Sequence, residues 1–261
     1  GEPLKSQESQ VSTIMDEMHN VKAFRVVENV AKFCVDNYIP TKKVNSQFDY
    51  GPIFSTVTKN ALEGWRIRVG GETTTAFDKH FFLDTYAAWG FKDKRPKGYG
   101  ALEYSFNDKK YHSREFPIHS IKASHSYDVD QIGQHYMFTN ADNVFLALKR
   151  QKNDKMTYLR SSNLQYTLET QCGFSVSAGF KYNTQEATKM MPFEDGYGNV
   201  FKKYDEALFN VTLRYAPGEK FYQTRSNRIP INLDAPVFAL TQEYAPKGFL
   251  GSMNTINKTE F

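Results

Sequence analysis

The stretch Trp65-Arg66-Ile67-Arg68-Val69 places a bulky apolar residue at every odd position and an arginine at every even one. Farther along, Phe174-Ser175-Val176-Ser177-Ala178-Gly179-Phe180-Lys181-Tyr182 repeats that rhythm with serine, glycine and lysine between the large side chains. Successive side chains of a β-strand point to opposite faces, so a period of two produces a strand with one apolar and one polar face. Working outward from these two stretches, the same period recurs. It is carried by Phe81, Leu83, Thr85, Ala87, Trp89 and Phe91; by Leu102, Tyr104 and Phe106; and by Ile121, Ala123, Tyr127 and Val129. It continues through Val144, Leu146 and Leu148; Leu164, Tyr166 and Leu168; Ala207, Phe209, Val211, Leu213 and Tyr215; and Phe238, Leu240 and Tyr244. The expectation is a mainly β chain, an antiparallel meander.

Strand length and aromatic placement narrow the class. The stretches at 80–91, 174–182 and 206–215 approach the roughly 9–11 residues of a tilted transmembrane strand, whereas an average strand of a water-soluble protein runs to about 5–6. Trp65, Phe81, Trp89, Phe91, Tyr99, Tyr182 and Tyr215 sit toward strand ends, where aromatic girdles of a membrane barrel lie. Aromatic residues also favour strands of any kind, so two readings stand. One is part of a transmembrane β-barrel, and the other is an extracytoplasmic, water-soluble β-rich binding module.

Composition is consistent with both. The chain holds 21 Phe, 16 Tyr and 2 Trp, yet only 40% of its residues are hydrophobic. That aromatic content excludes a disordered chain. The formal charge of +4 is mild, with no basic cluster to point to nucleic acid. Two distant cysteines, Cys34 and Cys172, make neither a disulfide scaffold nor a metal site. The chain opens Gly1-Glu2-Pro3 without an initiator methionine or a leader-like apolar stretch, which reads as a chain either processed or cut from something longer.

Residues 7–37 break the period. Val11, Ile14, Met15, Met18, Val21, Phe24 and Val27 recur at spacings of mostly three and four, continued by Val30, Ala31 and Cys34. This is the stripe of one amphipathic helix, and its mixed-charge opposite side lacks the Lys/Arg excess of a membrane-surface anchor. The division expected is a helix and linker over 1–40 and a partial barrel segment over 41–261.

Chemistry is sparse. The chain has no G-x-S-x-G, H-E-x-x-H, paired C-x-x-C or phosphate-cradling glycine loop. His119 and His125 share a strand face but stand about 20 Å apart along it. The acidic stretch Asp128-Val129-Asp130 lacks EF-hand spacing. The expectation is therefore no enzyme, no cofactor and no metal. Charge on a lipid-facing surface costs about 2–4 kcal/mol near the midplane. Arg66 and Arg68 are accordingly expected to face a lumen, where Asp84 or Glu103 on nearby strands would neutralise them. Lys122, Lys181 and Arg214, each alternating with apolar neighbours, join this lumen-facing charged set.

Several ordered motifs carry a resemblance. They are Tyr50-Gly51-Pro52-Ile53 with Asn60 to Thr73, Trp89-Gly90-Phe91 with Lys92 to Arg95, and Asp128 to Gly133. Phe138 to Asn143, and Ala216 to Phe221 leading to Arg228-Ile229-Pro230, complete the set. Together they resemble the large Bacteroidota family of outer-membrane barrel proteins of unknown function, whose full-length members begin with a carboxypeptidase-regulatory-like domain. The resemblance covers most of residues 38–252. It implies a bacterial outer-membrane location, contact with lipid, and association with the remaining strands and periplasmic domain of a longer protein. It also implies a transport, assembly or surface-presentation role toward an unspecified substrate or protein partner. It carries no catalytic residues.

Overall fold

The computed structural model describes residues 22, 26–27, 30, 34, 37–42, 44–131, 155–223, 228–232, 235–253 and 255–261. The chain divides into two units, Gly1–Asn37 and Tyr38–Phe261. Of the first, Lys22, Val26, Val27, Val30 and Cys34 are helical and exposed, and Asn37 is left-handed with φ 59°. The rest of the helix expected over 7–37 lies outside the described residues. So does the strand expected at Val144, Leu146 and Leu148.

The second unit is built from strands in chain order. They are β1 (Ile39–Pro40), β2 (Phe48–Tyr50), β3 (Val57–Asn60), β4 (Gly64–Thr73), β5 (Phe81–Gly90), β6 (Pro96–Ser105), β7 (His119–Gln131) and β8 (Met156–Glu169). Then follow β9 (Phe174–Glu186), β10 (Phe193–Glu194), β11 (Val200–Phe201), β12 (Lys203–Tyr215), β13 (Phe221–Gln223), β14 (Arg228–Pro230), β15 (Phe238–Ala245) and β16 (Ile256–Glu260). Twelve of these form one sheet in the order β1-β2-β4-β5-β6-β7-β8-β9-β12-β15-β16, with β3 also on β4. Every pairing in it is antiparallel. β10–β11 and β13–β14 are separate two-stranded ribbons in the connections. The meander read from the period-two pattern is thus the observed architecture, mainly β and antiparallel.

The register fixes the faces. Row by row, Ile67, Trp89 and Pro96 lie side by side, as do Phe81, Tyr104, Ile121, Tyr166, Ala178 and Val211. The large apolar side chains of these seven strands therefore share one face. That face is uncovered over much of its area: Trp65 is 57% exposed and Leu164 50% exposed. The opposite face is polar and largely sequestered. Arg66 and Arg68 are each only 8% exposed, and Glu72, Lys97, Ser105, Ser120 and Thr157 are buried. This inverts the usual arrangement, in which apolar side chains are inside and charges are outside.

Glycines allow close approach on the polar face. A Cβ at Gly70 would run into the Thr85 carbonyl oxygen and meet the Tyr86 Cβ at 2.5 Å. Gly70 and Tyr86 are direct cross-strand partners, so the tyrosine ring crosses over the bare glycine backbone.

Candidate functional site: the charged face of the sheet

The polar face carries two ion-pair networks near opposite ends of β4. The first gathers around Lys97 on β6. Its ammonium, 0% exposed, donates to Asp93 at 2.6 Å and lies 2.7 Å from the Glu63 carboxylate as an ion pair. Asp93 sits in the β5–β6 turn and also accepts from the Tyr158 hydroxyl at 2.8 Å. Glu63 caps the β3–β4 turn: Asn60 accepts from its backbone N–H at 2.7 Å and donates to its carboxylate. Burial pushes the Asp93 carboxyl up, but the hydrogen bonds from Lys97 and Tyr158 outweigh it and hold the group below its ordinary value. Arg66 extends the network, 3.6 Å from Glu63 and 2.6 Å from Asp128 on β7. Tyr86 donates to the same Asp128 oxygen at 2.5 Å.

The second network centres on Glu72, at the other end of β4. Arg114, from the β6–β7 connection, donates to both carboxylate oxygens at 3.0 Å. His112 Nε2 lies 3.2 Å from the Glu72 Oε1. Between the networks, the Arg68 guanidinium stacks over the Tyr86 ring at 3.7 Å from its centroid.

The register places Arg66, Arg68, Asp84, Glu103, Lys122, Lys181 and Arg214 all on this one face. Glu103 and Lys122 are direct cross-strand partners, and Asp84, Glu103 and Lys122 line a small recess together with Glu72 and Arg114. Lys181 stands apart on β9. Arg214 donates to Glu219 at 2.6 Å beyond its own strand. The arginine partners differ from those expected. Arg66 is opposite Gly90 in the register, six residues along β5 from Asp84, and so bonds to Asp128 and Glu63 instead. Sequence reading missed Glu63, Glu72, Asp93, Lys97, His112 and Arg114. Glu63, Asp93, His112 and Arg114 lie between strands, where no alternation marks a face.

Two arrangements resemble reactive centres. Ser113 Oγ lies 3.2 Å from His112 Nδ1, with Glu72 on the far nitrogen. Ser113 is 2% exposed, and both Glu72 oxygens are held by Arg114, so this trio braces the β6–β7 connection without access for a substrate. A cleft of about 570 Å³ opens beside the β8–β9 turn between Phe116, Cys172, Phe174, Arg214 and Phe221. The exposed Cys172 thiol there is held below its ordinary value by hydrogen bonding with Thr170 at 3.0 Å. Among the described residues no three His, Cys, Asp or Glu side chains come together as a metal site. No helix among them is long and apolar enough to cross a membrane.

On the apolar face, aromatic side chains form a continuous row across four strands. Phe81 and Tyr104 lie 4.9 Å apart between ring centroids, Tyr104 and Phe106 5.1 Å, and Phe106 and His119 4.5 Å. Tyr166 closes the row against His119, 3.0 Å from its Nε2.

The fold and these faces define a class: a large antiparallel β-sheet with buried ion pairs on one face and a band of exposed apolar side chains on the other. Residues 31–261 match the C-terminal domain of a family of unknown function (DUF5686), and the chain belongs to that family. Neither the curated proteins nor the solved structures include a match.

Proposed function

We propose that this chain is a wall segment of a bacterial outer-membrane β-barrel, with a transport, assembly or surface-presentation role and no catalysis of its own. The observation that carries this reading is the slant of the exposed apolar band. Ile67, mid-band on β4, shares a row with Trp89, whereas Val211, mid-band on β12, shares a row with Phe81. Phe81 and Trp89 are eight residues apart on β5, which is about 27 Å of strand. The band makes that shift across six strand steps, a width of about 29 Å at about 4.8 Å per step. A planar membrane met by strands inclined at about 40° would produce such a slant, and outer-membrane strands tilt by about 35–45°.

Phe81, Tyr104 and Phe106 lie along one margin of the band on β5 and β6, and Trp65, Trp89 and Phe91 lie along the other, in the manner of interfacial girdles. Under this reading the polar face looks into a hydrated lumen and the apolar face contacts lipid. The sheet edges among the described residues, at β1 and β3 on one side and β16 on the other, join the remaining strands of a longer protein. The motif resemblance extends the proposal to a Bacteroidota source and an N-terminal carboxypeptidase-regulatory-like domain in the full-length protein.

The test is fractionation of the full-length protein followed by gel electrophoresis of boiled and unboiled samples. Extraction only by detergent, with an unboiled species of altered mobility, supports the barrel. A folded monomer in plain buffer supports the water-soluble binding module instead.

A further inference from the structure

The apolar band lies off-centre on the long strands. On β12, Phe209, Val211, Leu213 and Tyr215 are exposed, and Tyr215 pairs with Phe174, the first residue after the β8–β9 turn. The band thus runs directly into a four-residue turn, closed by the Thr170 N–H to the Phe174 carbonyl with Gly173 at φ 83°. Toward the other end, the same face of β12 carries Ala207, fully buried, then Asp205 and Lys203. On β8, Leu168, Tyr166 and Leu164 give way to Ser162, the exposed Arg160, and then Tyr158 and Met156, both buried. Six residues of β12 (203–208) and eight of β8 (156–163), or about 20 and 27 Å of strand, lie beyond the band at this end.

The groups that cover these overrunning strands are connections from the same end. At the border with the band Phe249 packs on Phe180 and Phe209 with centroids 6.4 and 5.8 Å apart, and Ser252 bridges to Asp205 on the overrun. The Thr188 hydroxyl, 2.5 Å away, donates to the Met156 carbonyl. Arg95 lies over the Tyr158 ring at 4.5 Å and within 3.5 Å of Glu186. The β10–β11 ribbon continues the projection, with Tyr197 at its tip 94% exposed. At the Cys172 end, by contrast, the connection 106–118 folds inward: His112 and Ser113 are buried and Arg114 grips Glu72 on the polar face.

We infer that the end bearing Asp93, Tyr158 and Tyr197 is the outward, cell-surface platform of the wall, and that the Cys172 turn faces the periplasm. This orientation rests on the outer-membrane reading. Paired strand that overruns the hydrocarbon carries Arg160, Glu186 and Lys203 on its outer face, side chains suited to water and headgroups rather than acyl chains. Barrels of this membrane close the periplasmic side with short turns such as 170–173; because the Cys172 end also carries the longer connections 106–118 and 216–237, the one-sided overrun of β8 and β12 rather than connection length carries the orientation.

The test uses two single-cysteine forms of the full-length protein in intact cells. One keeps Cys172 with Cys34→Ser. The other carries Tyr197→Cys with Cys34→Ser and Cys172→Ser, and Val200→Cys in the same background serves as a second reporter of that ribbon. Each form is first checked for the wild-type unboiled gel mobility. A membrane-impermeant maleimide is expected to label the ribbon cysteine at least tenfold more than Cys172 in intact cells, with Cys172 labelled once the outer membrane is permeabilised. The reverse pattern overturns the orientation and leaves the membrane reading standing. Equal labelling of both forms, in intact cells or only after permeabilisation, overturns the membrane reading itself.

Discussion

Arg66 on β4 donates to the carboxylate of Asp128 on β7 at 2.6 Å, across three strand intervals. Three intervals amount to about 14 Å in a flat sheet. Side chains that stand off a sheet meet over such a span only where it curls toward them. The pair therefore records the curvature of the wall as well as its charge balance.

Removing one partner of a buried ion pair leaves the other charge uncompensated, at a cost of about 3–5 kcal/mol. Arg66→Gln is expected to destabilise the folded sheet by about that amount, because Asp128 then keeps the neutral donors Tyr86 and the Val129 N–H but no cation. Pairing it with Asp128→Asn is expected to restore much of the loss. Urea titration of the detergent-folded protein measures both. A single variant as stable as wild type would remove the pair from the forces that hold the curl.

Asp93 supplies a pH dependence. Its folded carboxyl lies below the unfolded value of about 3.9. The stability it contributes is therefore complete above that value and is lost as pH falls through the folded one. Wild type is expected to melt higher than Asp93→Asn at pH 7, with the gap closing below about pH 4. Thermal melts across that range check it, and a gap that persists unchanged into acid contradicts the Lys97–Asp93 assignment.

The two faces predict opposite responses to charge. Leu164 points from the exposed apolar face and Asn163 from the polar one. Leu164→Arg is expected to cut the yield of membrane-inserted, heat-shiftable protein, at about 2–4 kcal/mol if it sits near the midplane. Asn163→Arg is expected to leave that yield near wild type. In a water-soluble module an exposed Leu164→Arg would be harmless, so unimpaired insertion-free folding of this variant decides against lipid on that face.

Gly70→Val tests the crossing of Tyr86. The added side chain meets the backbone of Thr85 and Tyr86, which cannot rotate away. A loss of about 1–3 kcal/mol or more is expected. Because Tyr86 donates to Asp128, its displacement is also expected to weaken Arg66 anchoring, so Gly70→Val and Arg66→Gln together should cost less than their sum.

Much of the site was legible from alternation alone. Arg66, Arg68, Asp84, Glu103, Lys122, Lys181 and Arg214 all alternate with apolar residues, and they share one face of the sheet. Glu63, Asp93 and Arg114 lie in turns, where the side-chain direction follows the turn and no period announces it. Lys97 was hidden by a strand that begins Pro96-Lys97-Gly98 with little apolar contrast.

The sequence by itself determined that the chain forms two-faced strands in a meander, and which residues share a face, because a period of two is a property of each strand's own backbone. Only the tertiary structure decided that the charged face is the sequestered one, that Arg66 finds Asp128 rather than Asp84, and that the apolar band runs aslant. Those depend on register and curvature across as many as seven strands, which no local pattern encodes.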